Sequence, residues 1–197
     1  MTLTLFLLFA CHHDTDTGSD LQGNEDPPVE TGGGDSDSAP TDPIYDIAED
    51  QLPQGASPCR DPFVALVTEA VDGDTLWVRG PAGSEKVRII GVDTPEISHD
   101  GDAPDCYGPE AAAFTEEQLL DHNVWLTFDG DCEDDYGRTL AYVTSGEGDS
   151  GFYERVLLQG GWAETMTFEA TSTYADVFEA DEAEARREGA GLWGACE

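Results

Sequence analysis

The sequence predicts an α+β domain that is mainly β, and two observations support this class. Residues 63–92 alternate apolar and polar side chains across two turn signals, an Asp-Gly pair and a Pro-Ala-Gly-Ser run. This is the pattern of antiparallel strands joined by short turns. Two later segments, near residues 109–121 and 173–188, carry helix signals. The domain therefore combines a β meander with helices.

The alternating segment predicts a three-stranded meander, with strands over about 63–71, 74–79 and 85–92. Asp74, at the start of one strand, then lies near Asp93, at the end of another. Two carboxylates and a backbone carbonyl such as that of Thr94 form an oxygen-rich, anionic pocket. Such a pocket suits Ca²⁺ and is poorly suited to Zn²⁺, which prefers nitrogen and sulfur.

Three further residues lie beside this pocket in the sequence. Glu96 follows Asp93 across a proline, so it can face the same ion without ligating it and can orient or deprotonate a water. Arg88, on the strand leading into the turn, is interpreted as a bidentate phosphate clamp rather than a solvated strand residue. Asp72 either supports the ion from behind its ligands or forms an Asx turn with Gly73.

The two helix segments are predicted from their own residues. The first begins with a proline, which suits the first helical position, and continues with an apolar face. The second is rich in alanine, carries Arg186 and Arg187 in its last turn and is stopped by Gly189.

Five pieces of the chain, in order, resemble the staphylococcal nuclease (thermonuclease) family. They are Val-Asp-Gly-Asp-Thr at 71–75, Val-Arg-Ile-Ile-Gly-Val-Asp-Thr-Pro-Glu at 87–96, Tyr-Gly-Pro-Glu-Ala at 107–111, Asp-Tyr-Gly-Arg at 135–138 with Leu-Ala-Tyr after it, and Gly-Leu-Trp at 191–193. The resemblance covers about 63–193. It implies a five-stranded, partly open OB-fold barrel with about three helices. The further elements are strands over 124–129 and 139–144 and a helix over 151–159.

The resemblance also implies a metal site. Asp74 and Asp93 ligate Ca²⁺ together with the carbonyl of Thr94, and the ion binds a non-bridging phosphate oxygen. Glu96 acts as general base or positions the attacking water.

Phosphate and substrate contacts follow from the same resemblance. Arg88 and Arg138 bind the phosphate and neutralise the charge that builds on it in the transition state. Tyr136 either stacks on a base or packs on the barrel. Phe168 is a candidate for stacking on the nucleotide.

The function implied is a calcium-dependent nuclease that hydrolyses DNA, with RNA as a second candidate substrate, and leaves a 3′-phosphate. The alternative is a non-catalytic OB-fold surface module that keeps Ca²⁺ and binds a protein or a glycan. Intact Arg88, Glu96 and Arg138 count against this alternative, because pure Ca²⁺ binding needs neither arginine.

The charge of the chain favours the alternative. The formal net charge is −35, from 43 acidic and eight basic residues. Because 31 of the acidic residues and all eight basic ones follow Cys59, this part carries about −23. Nucleic-acid binders are usually basic. Asp135 stands at a lysine position of the family archetype, so we expect weak substrate binding without sequence preference.

The N-terminal part predicts export. An apolar run over residues 3–10 is followed by Cys11, which resembles a bacterial lipoprotein site where the cysteine is lipidated, although no Lys or Arg precedes the run. An ordinary secretory signal is the alternative. The predicted organisation is a signal over 1–11, an acidic flexible spacer over 12–58 and the nuclease-like domain over 59–197. We expect a monomer, attached to a membrane through Cys11 or secreted.

The remaining four cysteines agree with export. An even number in an exported domain predicts two disulfides, and three pairings are possible. We favour Cys59 with Cys196, which flank the domain, and Cys106 with Cys132, which precede loops expected above the active site. Zinc binding is the alternative role for these cysteines, and it is the weaker one because no Cys-x-x-Cys spacing is present.

Overall fold

Seven strands and four helices follow one another in the computed structural model, which describes residues 42–98, 101 and 103–196. The strands are β1 Phe63–Ala70, β2 Thr75–Gly80, β3 Gly83–Ile89, β4 Gly91–Asp93, β5 Asn123–Thr127, β6 Thr139–Thr144 and β7 Glu164–Met166. The helices are α1 Gly108–Leu119, α2 Tyr153–Gln159, α3 Ala175–Glu188 and α4 Leu192–Ala195. Within those ranges no helix is both long and apolar enough to cross a lipid bilayer.

Five of the strands close into a barrel in the order β1-β2-β3-β6-β5. The alternation seen in the sequence is the reason: Leu76, Val78 and Val87 point into the barrel and are fully buried. All neighbours are antiparallel except β3 and β6, which pair in parallel. The predicted class, a mainly β five-stranded barrel with about three helices, is confirmed, and the short α4 is added to it.

The third strand of the predicted meander is interrupted. It was expected to run to residue 92, but β3 ends at Ile89, and β4 leaves the barrel to pair with β7 in a separate two-stranded sheet. Gly91 makes the change of direction, with φ of 86°, and a Cβ there would lie 2.3 Å from the Phe178 ring. Strand β7 was not predicted, because three residues are too few to show alternation.

The segment 42–58 differs from the predicted spacer. It forms 3₁₀ turns over Pro43–Asp46 and Glu49–Gln51 and lies against the barrel. Ile44 is buried against Val64 and Trp125. The Trp125 indole N–H donates a hydrogen bond to the backbone carbonyl of Ile44 at 2.8 Å. A few apolar residues among acidic ones are therefore enough to cover this patch. The rest of the predicted spacer, 12–41, and the predicted signal with Cys11 lie outside the described residues.

The disulfides are Cys59–Cys132 and Cys106–Cys196, with Cα atoms 5.7 and 5.9 Å apart. The predicted pairs, Cys59 with Cys196 and Cys106 with Cys132, are therefore wrong. Cys59 donates its backbone N–H to Asp129, so it runs beside the chain that leads to Cys132.

The second bridge has a matching cause near the start of α1. Tyr107, next to Cys106, stacks on Trp162 with ring centroids 5.1 Å apart. The backbone N–H of Leu192 donates to Gly161, beside that tryptophan. The start of α1 and the C-terminal helix α4 thus meet at one aromatic cluster, which no sequence spacing reveals.

A buried acid supports α2. Glu154 in the first turn is fully buried, and its Oε1 accepts a hydrogen bond from Val143 N at 2.9 Å. Its Oε2 has no hydrogen-bond partner among the described residues. Burial raises the pKa of Glu154 well above its ordinary value of 4.5. Burial therefore favours the neutral form of this carboxyl.

Removing either disulfide should destabilise the domain and loosen one specific loop. For loops of this length the loss is about 4 kcal/mol in the chain-entropy view. We expect Cys59→Ser/Cys132→Ser to speed amide hydrogen exchange in residues 129–138, and Cys106→Ser/Cys196→Ser to speed it in residues 96–107. Cys11→Ser, which belongs to neither bridge, is the control. Equal exchange in both loops, or an unchanged melting temperature, would contradict the assignment.

Glu154→Gln should change how stability depends on pH. The folded pKa of Glu154 is raised, so its contribution is largest below the unfolded value of 4.5 and is lost as pH rises above it toward the folded pKa. The loss is at most about 1.4 kcal/mol per pH unit. In urea titrations, the free energy of unfolding of the variant minus that of the wild type should therefore increase as pH rises from 4 to 8. Parallel pH profiles would show that the carboxyl is ionised.

Candidate active site

The turn between β1 and β2 fixes the first acidic residues of the site. Asp72 accepts a hydrogen bond from the backbone N–H of Asp74 at 3.0 Å, which confirms the Asx-turn alternative for Asp72. The Thr115 hydroxyl on α1 donates to the carbonyl of Gly73 at 2.7 Å. The turn is held from two sides, so the carboxylate of Asp74 has a set position.

Asp74 is a buried carboxylate with many donors around it. It is 3% exposed; Oδ1 meets the Thr75 hydroxyl at 3.1 Å and Arg88 Nε at 3.2 Å. Oδ2 accepts from the backbone and hydroxyl of Thr94 at 2.8 and 3.2 Å. Burial raises the pKa of Asp74 to about 7, with the charge of Arg88 opposing the rise and that of Asp72 adding to it. The ion pair with Arg88 therefore offsets only part of the cost of burying this carboxylate.

Arg88 joins the acidic residues into one cluster. It lies opposite Thr75 in the β2–β3 ladder, and its guanidinium reaches past the end of β3. There it donates to the carbonyl of Val92 at 2.8 Å and to Asp93 at 2.9 Å, in addition to its ion pair with Asp74. Its predicted place beside the carboxylates is confirmed. The role as a phosphate clamp stays a prediction.

The carboxylates and the carbonyl that Arg88 contacts offer oxygen ligands, which is the chemistry a hard cation requires. Asp74, Asp93 and Thr94 come together at this turn, as predicted. In the part of the chain that the structure describes, no group of three or more His, Cys, Asp or Glu side chains is placed to hold a metal. A Ca²⁺ ion would therefore need the Thr94 carbonyl, waters and substrate oxygens to complete its shell. The set fits Ca²⁺ on these terms.

Glu96 lies on the loop that follows this turn. Its backbone N–H donates to Asp105 Oδ2 at 3.3 Å, and its carbonyl accepts from Asp105 N at 3.0 Å. A Cβ on Gly108 would come within 2.2 Å of the Glu96 carbonyl, so only glycine allows this close contact with the start of α1. The backbone of Glu96 is thus held, and its side chain is exposed.

A cavity of about 490 Å³ opens beside Arg88. Its wall contains four of the predicted residues, Arg88, Arg138, Tyr136 and Phe168, and does not contain Asp74, Asp93, Thr94 or Glu96. Tyr136 and Phe168 are 86% and 64% exposed. The alternative that Tyr136 packs on the barrel is therefore wrong. Two exposed aromatic rings at one cavity suit a planar base.

Asp134 was not predicted, yet it holds the loop that carries Arg138. Its Oδ1 accepts from the backbone of Tyr136 and of Arg138, each at 2.9 Å, and its Oδ2 accepts from Arg138 Nε at 2.7 Å. Gly137, with φ of 76°, allows the turn between them. The signal was available: an aspartate two residues before the Tyr-Gly pair has the spacing of an Asx turn.

The cavity wall is also acidic. Asp131, Glu133 and Asp135 line it beside Asp134, while its cations are Arg88 and Arg138. Both arginines are paired with carboxylates. Local charge is therefore unfavourable to a polyanion, as the composition predicted.

Comparisons with known proteins agree on one family. Residues 86–195 match the family described as Staphylococcal nuclease homologue. The thermonuclease of Staphylococcus intermedius is 34% identical over 128 residues, which is 65% of this chain and 74% of that protein. The thermonuclease of Staphylococcus hyicus is 32% identical over 64% of this chain and 73% of its own length. The SPbeta prophage-derived endonuclease YokF of Bacillus subtilis is 36% identical over 63% of this chain and 42% of its own length.

Asp134→Ala should free the loop around Arg138. Hydrogen bonds to a charged group contribute about 1.5–3 kcal/mol each, so amide exchange at Tyr136 and Arg138 should rise by about 10-fold or more. Asp135→Ala removes the same charge from a neighbouring exposed residue and is the matched control. Equal exchange in the two variants would show that charge, not the hydrogen bonds of Asp134, orders the loop.

Proposed function

This chain belongs to the staphylococcal nuclease family and is a nuclease, and we propose that it hydrolyses phosphodiester bonds of DNA with the help of one calcium ion. RNA is a second candidate substrate. The observation that carries the proposal is the position of Arg88, which contacts Asp74 and Asp93 and also lines the cavity that contains Arg138.

The hydrogen bonds of Arg88 support a role in binding phosphate. Its Nε and Nη1 are used by Asp74 and by backbone carbonyls, and Nη2 donates to Asp93. The remaining contact of Nη2 is with the sulfur of Met166 at 3.9 Å, inside the cavity wall. A thioether is a weak acceptor. A phosphate oxygen is a far better partner for this N–H group.

Arg138 offers complementary donors. Its Nε is bound by Asp134, and among the described residues neither terminal nitrogen has a hydrogen-bond partner. Its guanidinium carbon lies 5.5 Å from the centre of the Tyr136 ring. A phosphate between Arg88 and Arg138 would receive donors from two sides, and both charges would stabilise the extra negative charge of the transition state.

A calcium ion held by Asp74, Asp93 and the Thr94 carbonyl would supply Lewis-acid polarisation of a phosphate oxygen. Glu96 follows Asp93 and Thr94 closely in the chain, and we propose that it accepts a proton from the attacking water. The water attacks phosphorus, the 5′-oxygen leaves, and the product strand keeps a 3′-phosphate. The protein's groups thus bind the phosphate, hold the ion and accept one proton.

The proposal also includes where the enzyme acts in or outside the cell. Disulfides persist in oxidising compartments, and the two bridges lie beside the loops of Glu96 and Arg138. Together with the apolar run and Cys11, this supports a monomeric exported enzyme, attached to a membrane through Cys11 or secreted. Its substrate would then be nucleic acid outside the cytoplasm.

Glu96→Gln should lower the rate of cleavage of single-stranded DNA by about 100-fold or more, the effect expected for loss of a general base. The wild type should need Ca²⁺ and stop in EDTA, and the products should carry a 3′-phosphate. Glu110→Gln, an exposed glutamate in the first turn of α1, is the matched control and should cleave normally.

Two results would count against the proposal. Wild-type protein that is folded, oxidised and inactive at every Ca²⁺ concentration would refute the assigned activity. Full activity of Glu96→Gln would leave the nuclease function standing and remove Glu96 from the mechanism.

A further inference from the structure

Two basic side chains have no ion-pair partner in the part of the chain that the structure describes, and they lie on one surface. Six arginines each form an ion pair with a carboxylate: Arg60, Arg88, Arg138, Arg155, Arg186 and Arg187. Among the residues that the structure describes, Arg79 and Lys86 form none. The positive charge available for a polyanion outside the cavity therefore belongs to these two side chains.

The β2–β3 ladder places them in line with the active site. Arg88 lies opposite Thr75, Lys86 opposite Trp77, and Arg79 opposite Ser84. The alternate residues, Leu76, Val78 and Val87, are buried in the barrel. Because side chains alternate along a strand, Trp77, Arg79, Lys86 and Arg88 share the outer face. We call this row, from Arg88 to Arg79, the hairpin strip; four strand residues make it about 14 Å long.

The strip has an aromatic ring in its middle. Trp77 is 38% exposed, although it stands in a strand of the barrel. Its neighbours in the ladders are Lys86 on β3 and Glu69 on β1, so one carboxylate borders the strip. The other outer strands have neighbours beyond the sheet: α1 packs against β1, α2 against β6 and the turn Pro43–Asp46 against β5. An exposed indole beside a cation suits a nucleobase and its phosphate.

The strip continues from the cavity. In the parallel ladder Val87 pairs with Thr139 and Arg88 with Leu140. Extended by one step, the same register would place Lys86 beside Arg138, which lines the cavity. A strand whose phosphate lies between Arg88 and Arg138 can therefore run on across Lys86 and Trp77 to Arg79.

We propose that the hairpin strip is an extended binding site for the single strand of DNA or RNA that the enzyme cleaves, with a base on Trp77 and phosphates at Lys86 and Arg79. The proposal rests on the nuclease function proposed above. An unpaired strand is required, because stacking on an exposed ring needs a base whose face is free. The strip would supply the affinity that the acidic cavity lacks.

The test compares a dinucleotide, which fills the cavity alone, with a single strand of about 20 nucleotides, longer than the site of one OB fold. The full oxidised chain is used, with Trp77→Ala, Trp77→Phe and Arg79→Ala/Lys86→Ala as variants. Arg187→Ala, an exposed arginine of α3, is the control for charge. Circular dichroism and melting temperature establish that each variant is folded.

We expect Trp77→Ala to raise KM for the long strand by about 10-fold, the scale of one base–aromatic stack, with kcat and dinucleotide cleavage unchanged. Trp77→Phe should restore most of the affinity. Arg79→Ala/Lys86→Ala should reduce the salt dependence of binding, with a slope of log K against log salt smaller by about 1.4 for two phosphates.

An equal loss on the dinucleotide, or an equal effect of Arg187→Ala, would overturn the proposal, as would unchanged kinetics in every strip variant. Wild-type protein that cleaves neither substrate would refute the nuclease function instead. In that case the binding role of the strip is tested by fluorescence anisotropy of the labelled strand. Binding that weakens in Trp77→Ala supports it, and absence of binding overturns it.

Discussion

The ion pairs of Arg88 with Asp74 and Asp93 are the interaction on which the rest of the site depends. A buried carboxylate such as Asp74 is costly without a positive partner, and Arg88 supplies one from the neighbouring strand. The same contacts tie the end of β3 to the turn before β2 and to the start of the Glu96 loop. Candidate catalytic and metal-binding groups from three parts of the chain are thereby held around one guanidinium.

The barrel was predictable because its signals are local. Alternation across the Asp-Gly turn marks the meander around Leu76 and Val87, and the acidic turn follows from the same pattern. The interruption after Ile89 was not predictable, because it depends on Phe178, far along the chain, approaching Gly91. Strand β7 exists only as the partner of β4. Tertiary contacts decide both.

The candidate site likewise has features that the sequence predicted and features that it did not. Its acidic turn and Arg88 were found from sequence, since strand register brings them together. The cysteine pairing was wrong, because it depends on where α4 meets the aromatic residues around Trp162. Asp134 was overlooked beside Asp135, although the two differ in what they do: one accepts three hydrogen bonds from its own loop, and the other lies exposed at the cavity.

The bridge between Cys106 and Cys196 also orders events in time. Its two cysteines are 90 residues apart, and β5, β6, β7 and all four helices, α1 to α4, lie between them. The loop that carries Glu96 gains this tether only after those elements have been synthesised and packed. The Glu96 loop therefore lacks this tether until the chain has been made as far as α4.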